Sequence, residues 1–518
     1  MSKRTVILIV LDGWGIGPKD ASNAIYAADP KNINQLKANF PSGALQASGI
    51  AVGLPWGEEG NSEVGHLNMG AGKVIYQNYP KITLAIRDGS FFENKILKET
   101  FEHAKKNDSA VNLIGLLTEA NVHASLEHLE ALIKFSQDEN APKINLHLIT
   151  DGRDSPPQSA LDLLKRIPFS EKVKLASIAG RYYAMDRDKL WDRTQKYYST
   201  ITGEGILIDN LENHFNQTYQ KGLNDEYILP ILFGTEKNFI KDNDAILFFN
   251  FREDRMRQLV ETFINKKFAQ FPVKNFSNLH ITALTEYDKN FKMPVAFPPE
   301  TIDNPIGKIL ADNGKNQLRI AETEKYAHIT YFFNGERESP FENEYRVLIP
   351  SIAEVRHDAH PEMRAKEIAD RVITAMEEES YDFILVNLAN ADMVAHTGNY
   401  EATISAIKAV DEQINRISKT ALEQNDILII TSDHGNAERL FNPKTGEPET
   451  KHDPNPVPVY LVANEFKRER SLREIEDAES APIGLLSDIA PTILELMKIS
   501  KPKEMTGQSL VKFLISNY

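Results

Sequence analysis

The chain contains no cysteine. Disulfides, zinc–thiolate sites and thiol nucleophiles are therefore excluded, although this alone does not assign a compartment. It also lacks any uninterrupted apolar stretch near the roughly 18 residues of a membrane span. The opening MSKRTVILIVLDGWG begins like a secretory signal, but its apolar run is short and ends on Asp12 without a small-residue cleavage site. A first buried strand is the better reading, and a cytoplasmic protein with no membrane partner is expected. A basic surplus is missing too: 59 Lys and Arg face 74 Asp and Glu, a net charge of −15, with both signs interspersed. No nucleic-acid partner is expected, and an anionic substrate must be held by a local Arg/Lys cluster. Nor is there a repeat or low-complexity tract that would build a solenoid or a disordered tail.

What is present is an α/β pattern. At 518 residues with 41% hydrophobic content, the chain can bury two cores, because single cores stop growing near roughly 250–300 residues. The runs VILIV, VNLIGLL, INLHLIT, VKLASIAG, AILFFN, LHITAL, LRIAE, FILVN, DILIIT and VPVYLVA read as strands. Helical spacing is expected over residues 94–106, 126–137, 190–199, 361–378 and 400–420. Candidate joints lie near Gln77–Pro80 and in KMPVAFPPE at residues 292–300, where proline restrains its own backbone and that of the residue before it. The expected organisation is a discontinuous domain of residues 1–78 and 299–518, interrupted by an inserted α/β domain of residues 79–298.

Three of the strand-like runs, far apart in sequence, end on metal-type ligands. VILIV leads to Asp12, FILVN to Asp392 and His396, and DILIIT to Asp433 and His434. Open α/β sheets bind ligands at the carboxyl ends of their strands, so the two ends of the chain are expected to meet at one site. Asp392 and His396, four apart, share a face if helical and can chelate one cation. With His452 these residues form an oxygen/nitrogen set without soft donors, suited to Mn²⁺, Mg²⁺ or Zn²⁺. Each has an ordinary alternative: Asp12 as a turn residue, His396 as a satisfied polar group, His452 as a loop residue. Ser62 in GEEGNSEVGH sits before a segment that can start a helix, where backbone N–H groups favour an anion. It is a candidate phosphoryl acceptor, or merely a helix N-cap. Together these residues point to metal-assisted phosphoryl chemistry.

The central segment has a second arrangement of the same kind. His123 follows VNLIGLL, Arg153 and Asp154 follow INLHLIT, Arg181 and Arg187 follow VKLASIAG, and Arg252 and Arg255 follow AILFFN. Guanidinium groups at strand ends can clamp a small molecule bearing carboxylate and phosphate, since the planar fork matches both. A surface salt-bridge network is the alternative for Arg187 and Arg255, which have acids beside them. Lys325, in AETEKYAHITYFFNG, is placed to meet a transferring phosphate, or is a solvated surface lysine.

The motifs LDGWG, GNSEVGHLNMGAG, TDGRDSPP, GRYYAMDRDKLWDR, NFREDR, AETEKYAHITYFFNG, DMVAHTG and SDHGNAE occur in order along nearly the whole chain. They resemble the 2,3-bisphosphoglycerate-independent phosphoglycerate mutase family of the alkaline-phosphatase superfamily. The resemblance implies an alkaline-phosphatase-like metal domain with a central sheet, plus an inserted phosphotransferase domain that closes over it to keep water from a phosphoserine intermediate. It implies two divalent ions, Mn²⁺ foremost, with Mg²⁺, Co²⁺ or Zn²⁺ as alternatives. Asp392, His396 and His452 would hold one, and Asp12, Ser62, Asp433 and His434 the other. His123, Arg153, Asp154, Arg181, Arg187, Arg252, Arg255 and Lys325 would bind substrate. The implied activity is glycolytic and gluconeogenic interconversion of 3-phosphoglycerate and 2-phosphoglycerate by a monomer, with Ser62 as nucleophile, Lys325 stabilising the transferring group and Asp154 moving the proton. The chain departs from the family pattern at Ala120–Asn121, where Gly-Gly is common, at Ala391 and Ala395, and at Asp453, where Thr or Ser usually follows the histidine. A metal phosphatase, phosphodiesterase or phosphopentomutase would share the serine and ligands but not the full arginine set. A non-catalytic metal-binding scaffold would take no phosphate at Ser62.

Overall fold

The computed structural model describes residues 4–234, 238–353 and 356–516. The chain divides into two compact units, Met1–Gln77 with Thr301–Tyr518, and Asn78–Glu300. Each is an α/β body around an eight-stranded sheet, as the alternating pattern leads one to expect. Among the described residues, no helix is long and apolar enough to cross a membrane.

In the first unit the strands run, in spatial order, Glu344–Ile349, Gln317–Glu322, Phe383–Leu388, Val6–Leu11, Ile427–Thr431, Val457–Val462, Ser42–Gln46 and Pro482–Leu485. The three ligand-bearing runs lie side by side at its centre. Val6–Leu11 pairs in parallel with both neighbours, Leu11 opposite Leu388 and Val10 opposite Thr431. Strands covered on both faces must be apolar throughout, and VILIVL, FILVNL and ILIIT are buried at every position. Alternate side chains feed two cores. Ile7, Ile9 and Leu11 pack with Ile407, Val410, Ile414 and Ile417 of helix Tyr400–Gln424, whereas Val6, Leu8 and Val10 pack with Phe333, Ile489 and Ile493. The matched register leaves Asp12, Asp392 and Asp433 at one edge, a few residues past the strand ends. Gly13 makes this possible: its φ is +72°, and a Cβ there would stand 2.7 Å from Asp392 Cβ.

The second unit orders its strands Val295–Phe297, His280–Thr285, Ala245–Phe248, Ala110–Leu117, Lys143–Thr150, Val173–Gly180, Ile231–Phe233 and Leu207–Ile208. All pair in parallel except Val173–Gly180 with Ile231–Phe233. Its core includes His128 and His147, which are fully buried. Burial pushes both imidazoles down to about 3. His147 is held by Ser177 Oγ and Asn112 Oδ1, and His128 by Thr83 Oγ1. Because both stay neutral when folded but charge when unfolded, the unfolded chain binds more protons at acid pH. Their stability contribution is present above the unfolded value and is lost as pH falls toward 3. We expect stability to decline below pH ~6.5 by up to about 1.4 kcal/mol per pH unit for each histidine. Denaturant unfolding at several pH values, repeated on His147→Gln, checks this: the variant should show the shallower slope.

Candidate metal centre and anion-binding cluster

Ser62 is the first residue of helix Ser62–Ala71. Asn61, not Ser62, is the N-cap, and its side chain accepts the Val64 N–H. The capping alternative for Ser62 is thereby set aside, and its hydroxyl is free to turn toward the strand ends. Ser62 Oγ lies 2.9 Å from His434 Nε2, 3.2 Å from Asp12 Oδ1 and 2.8 Å from Lys325 Nζ. Lys325 is not a solvated lysine. It stands three residues past strand Gln317–Glu322, is buried, and donates to Asp12 Oδ1 and Asp392 Oδ2, each at 2.6 Å. Burial opposes its charge, but Asp12, Asp392 and Asp433 outweigh burial and hold the ammonium protonated far above neutrality.

Asp392 and His396 do share a helical face, at the end of Asn390–Ala395, with His396 Nε2 3.2 Å from Asp392 Oδ1. His452 Nε2 is 3.4 Å from the same oxygen and 3.1 Å from His396 Nε2. The rings are oriented by backbone carbonyls: His396 Nδ1 to Thr450 O at 2.8 Å, His452 Nδ1 to Gly60 O at 2.8 Å, and His434 Nδ1 to Gly435 O at 3.2 Å. A carbonyl can only accept, so Nδ1 carries the proton in all three, and in the neutral ring Nε2 presents a lone pair. Lone pairs converging on a carboxylate oxygen suit a divalent cation, with the second nitrogen's backbone bond fixing the tautomer as in metal-bound imidazoles. Asp433 Oδ2, fully buried, accepts no hydrogen bond among the described residues. Two ligand groups emerge, Asp392 with His434 and His452, and Asp12 with Asp433 and His434. His434 therefore belongs to both groups. Burial disfavours its charged form, but Asp433, Asp392 and Asp12 raise the imidazole to about 10, while Asp392 raises His396. Lys325 helps hold Asp392 well below the usual carboxylate range, and His434 does the same for Asp433.

Several neighbours escaped sequence reasoning. His66, one helical turn from Ser62, sets Nδ1 2.9 Å from Ser62 O and 3.3 Å from Asp433 Oδ2. Asn387 Nδ2 donates to Asp12 Oδ2 at 2.7 Å, and Asn436 Nδ2 to Asp392 Oδ1 at 2.8 Å. The (i, i+4) spacing of Ser62 and His66 was a usable signal. The two asparagines, inside FILVN and SDHGN, carried none.

In the second unit the arginines gather around three aspartates, Asp151, Asp154 and Asp254. Arg181, buried, bridges Asp151 Oδ1 at 2.6 Å and Asp154 Oδ2 at 2.5 Å. Asp254 accepts from Arg187 Nη1 at 2.6 Å and lies 3.2 Å from Arg252 Nε and 3.6 Å from His123 Nδ1. His123 Nε2 is 4.0 Å from Asp154 Oδ2, so it links the two groups. Burial, then Arg181, pushes His123 down to about 4, leaving it neutral. Arg255 donates to Met185 O at 3.1 Å, and Arg153 stands nearer solvent, 3.9 Å from Glu226. Asp151 and Asp254 were not singled out in the sequence. Arg187 does pair with an acid, as the salt-bridge alternative requires, but that acid also lies beside His123 and Arg252. Half-exposed Arg187 and Arg252 keep guanidinium nitrogens available to an anion.

A family model described as the metalloenzyme superfamily matches residues 4–501. The 2,3-bisphosphoglycerate-independent phosphoglycerate mutase 1 of Methanosarcina barkeri is 44% identical over 521 residues, covering 98% of this chain and 98% of its own length. The enzyme of that description from Clostridium botulinum (strain Langeland) is 44% identical, covering 99% and 100%. Among solved structures, Leishmania mexicana phosphoglycerate mutase at low cobalt concentration matches with a TM-score of 0.52 at 27% identity, over 98% of each chain.

Proposed function

The chain belongs to the 2,3-bisphosphoglycerate-independent phosphoglycerate mutase family of the metalloenzyme superfamily, and from that premise we propose that it interconverts 3-phosphoglycerate and 2-phosphoglycerate through a phosphoserine at Ser62. The observation that carries this reading is the Ser62 hydroxyl at a helix start, within 3.2 Å of Lys325, His434 and Asp12. Asp392, His396 and His452 would hold one divalent ion and Asp12, Ser62, Asp433 and His434 another, Mn²⁺ being our first choice. Such ions supply Lewis acidity that favours the serine alkoxide and neutralises phosphoryl charge. Ser62 Oγ, its proton given up to solvent, attacks phosphorus, the P–O3 bond of 3-phosphoglycerate breaks, and the leaving glycerate oxygen takes the proton that Asp154 carries into the step as a carboxylic acid. The Lys325 ammonium balances charge on the equatorial oxygens. His123 and Arg153, Arg181, Arg187, Arg252 and Arg255 retain glycerate while it turns. Its 2-hydroxyl, giving its proton back to Asp154, then attacks phospho-Ser62. The work divides between the units: ligands, nucleophile and Lys325 belong to the discontinuous unit, and the glycerate-binding residues to the inserted one.

A coupled assay on 3-phosphoglycerate, with and without added 2,3-bisphosphoglycerate, tests the reading. Equal rates are expected, and turnover seen only with the additive would overturn it. A second expectation concerns the clamp. Arg252→Ala or Arg255→Ala removes a charge-assisted contact worth about 1.5–3 kcal/mol, cutting isomerisation by roughly one to two orders of magnitude. Glycerate that escapes leaves phospho-Ser62 to water, so phosphate release should rise relative to 2-phosphoglycerate formed. Both products measured in one reaction, with metal content, give the check: lost metal or unchanged partitioning would make these arginines structural.

A further inference from the structure

Glu438 is a fully buried carboxyl that neither the ligand set nor the anion cluster uses. Its Oε2 accepts the backbone N–H of Gly15 at 3.1 Å and of Asn436 at 2.8 Å, and Asn455 Nδ2 lies 3.5 Å from Oε1. These donors belong to three segments. Gly15 follows Asp12, Asn436 follows Asp433 and His434, and Asn455 follows His452. Glycine is required for so close an approach: a Cβ at Gly15 or Gly435 would lie 2.1 Å from Glu438 Oε1, and one at Gly17 2.8 Å from Glu438 Cβ. The side chain of Asn436, whose N–H the carboxyl holds, reaches Asp392 Oδ1 at 2.8 Å. The same segments are laced by backbone bonds, Ala437 N–H to Gly13 O at 3.0 Å and Asp453 N–H to Gly435 O at 2.9 Å.

We propose that Glu438 is a positioning residue, a buried strut whose carboxyl holds the segments carrying Asp12, Asp433, His434 and His452 at cation-binding separation. The proposal rests on the ligand assignment made above. Among the described residues Glu438 makes no hydrogen bond to a ligand side chain, so it acts through the backbone that presents them. Burial, then Asp453, pushes its carboxyl up to about 8. Near neutral pH it therefore adds little negative charge to a carboxylate-rich centre, and glutamine, which keeps the accepting oxygen, is a fair mimic.

The test is calorimetric titration of metal-free protein with Mn²⁺, for wild type, Glu438→Gln and Glu438→Ala, alongside kinetics on 3-phosphoglycerate. Loss of an outer partner of this kind weakens metal binding by roughly 10–100-fold, the effect expected for Glu438→Ala. At saturating Mn²⁺ its KM should stay at the wild-type value, because the second unit's arginines are untouched. Glu438→Gln should recover the wild-type affinity. Wild-type affinity in Glu438→Ala, or equal weakening in both variants, would overturn the strut. If the wild type binds no Mn²⁺, the ligand assignment itself falls instead. Should Glu438→Ala not fold, Gly15→Ala decides: its Cβ displaces the carboxyl, so Mn²⁺ binding should weaken, and unchanged affinity in that variant refutes the proposal.

Discussion

Replacing Ser62 with alanine is expected to remove phosphoglycerate interconversion and phosphate release together, by about 10⁴-fold or more. Both outcomes pass through one covalent intermediate, so no variant at this position can trade one for the other. The local geometry makes substitution by a neighbour difficult. Asn61 is committed to capping Val64, and Lys325 is held protonated by the aspartates around it, which leaves it no lone pair for attack. His434 Nε2, 2.9 Å from Ser62 Oγ, and Asp12 Oδ1, 3.2 Å from it, are nucleophilic neighbours, but Asp433 and its neighbours keep the imidazole cationic or it serves as a ligand, and Asp12 is engaged by the Lys325 ammonium. Removing the hydroxyl should leave the fold intact, because the Asn61 cap and the contact of His66 Nδ1 with Ser62 O do not involve Oγ. Mass spectrometry of acid-quenched enzyme after mixing with 3-phosphoglycerate provides the check. Phosphate recovered on another residue, or phosphate release persisting in Ser62→Ala, would refute the assignment.

The central architecture was legible because its signals are local. VILIV, FILVN and DILIIT are short, branched apolar runs of the kind that strands buried on both faces present, and the polar residue ending each run announces the functional edge. The helix expected over 400–420 runs on to Gln424, where Asn425 adopts a left-handed cap, and the one expected over 361–378 starts only at Ala365, behind a short turn at His357–Ala359. The outer strands of the first sheet were less visible. Ser42–Gln46, with the sequence SGALQ, has almost no strand signature and is recruited by pairing with Val457–Val462. Glu344–Ile349 alternates weakly because it is covered on one side only. In the candidate site, charged residues at strand ends could be read directly. Asn387, Asn436, Asp254 and Glu438 could not, since each matters through a partner brought near only by the fold or through backbone N–H groups that no side-chain pattern encodes.

Removing metal is the second large effect expected, with turnover falling to background on chelation and returning with Mn²⁺ or a similar divalent ion. Full activity in a rigorously metal-free preparation would sink the two-ion proposal. The protonation of the ligands makes a sharper statement. In metal-free protein His434 is raised to about 10 and His396 is raised by Asp392, so near neutrality at least His434 carries a proton that a cation must displace. Binding must therefore release protons. Each proton released strengthens apparent affinity tenfold per pH unit as pH rises toward the raised value, and weakens it by the same factor on acidification, about 1.4 kcal/mol per unit. Asp392 and Asp433 add nothing to this slope, because both remain ionised far below neutrality. The Mn²⁺ concentration giving half-maximal activity should thus climb at least tenfold from pH 8 to pH 7, while KM for 3-phosphoglycerate, set by arginines and a His123 that is already neutral, stays flat. Titrations in two buffers of different ionisation enthalpy count the protons directly. A count of zero at pH 7 would mean that His434 enters the metal centre already neutral, and the electrostatic account of this cluster would have to be abandoned.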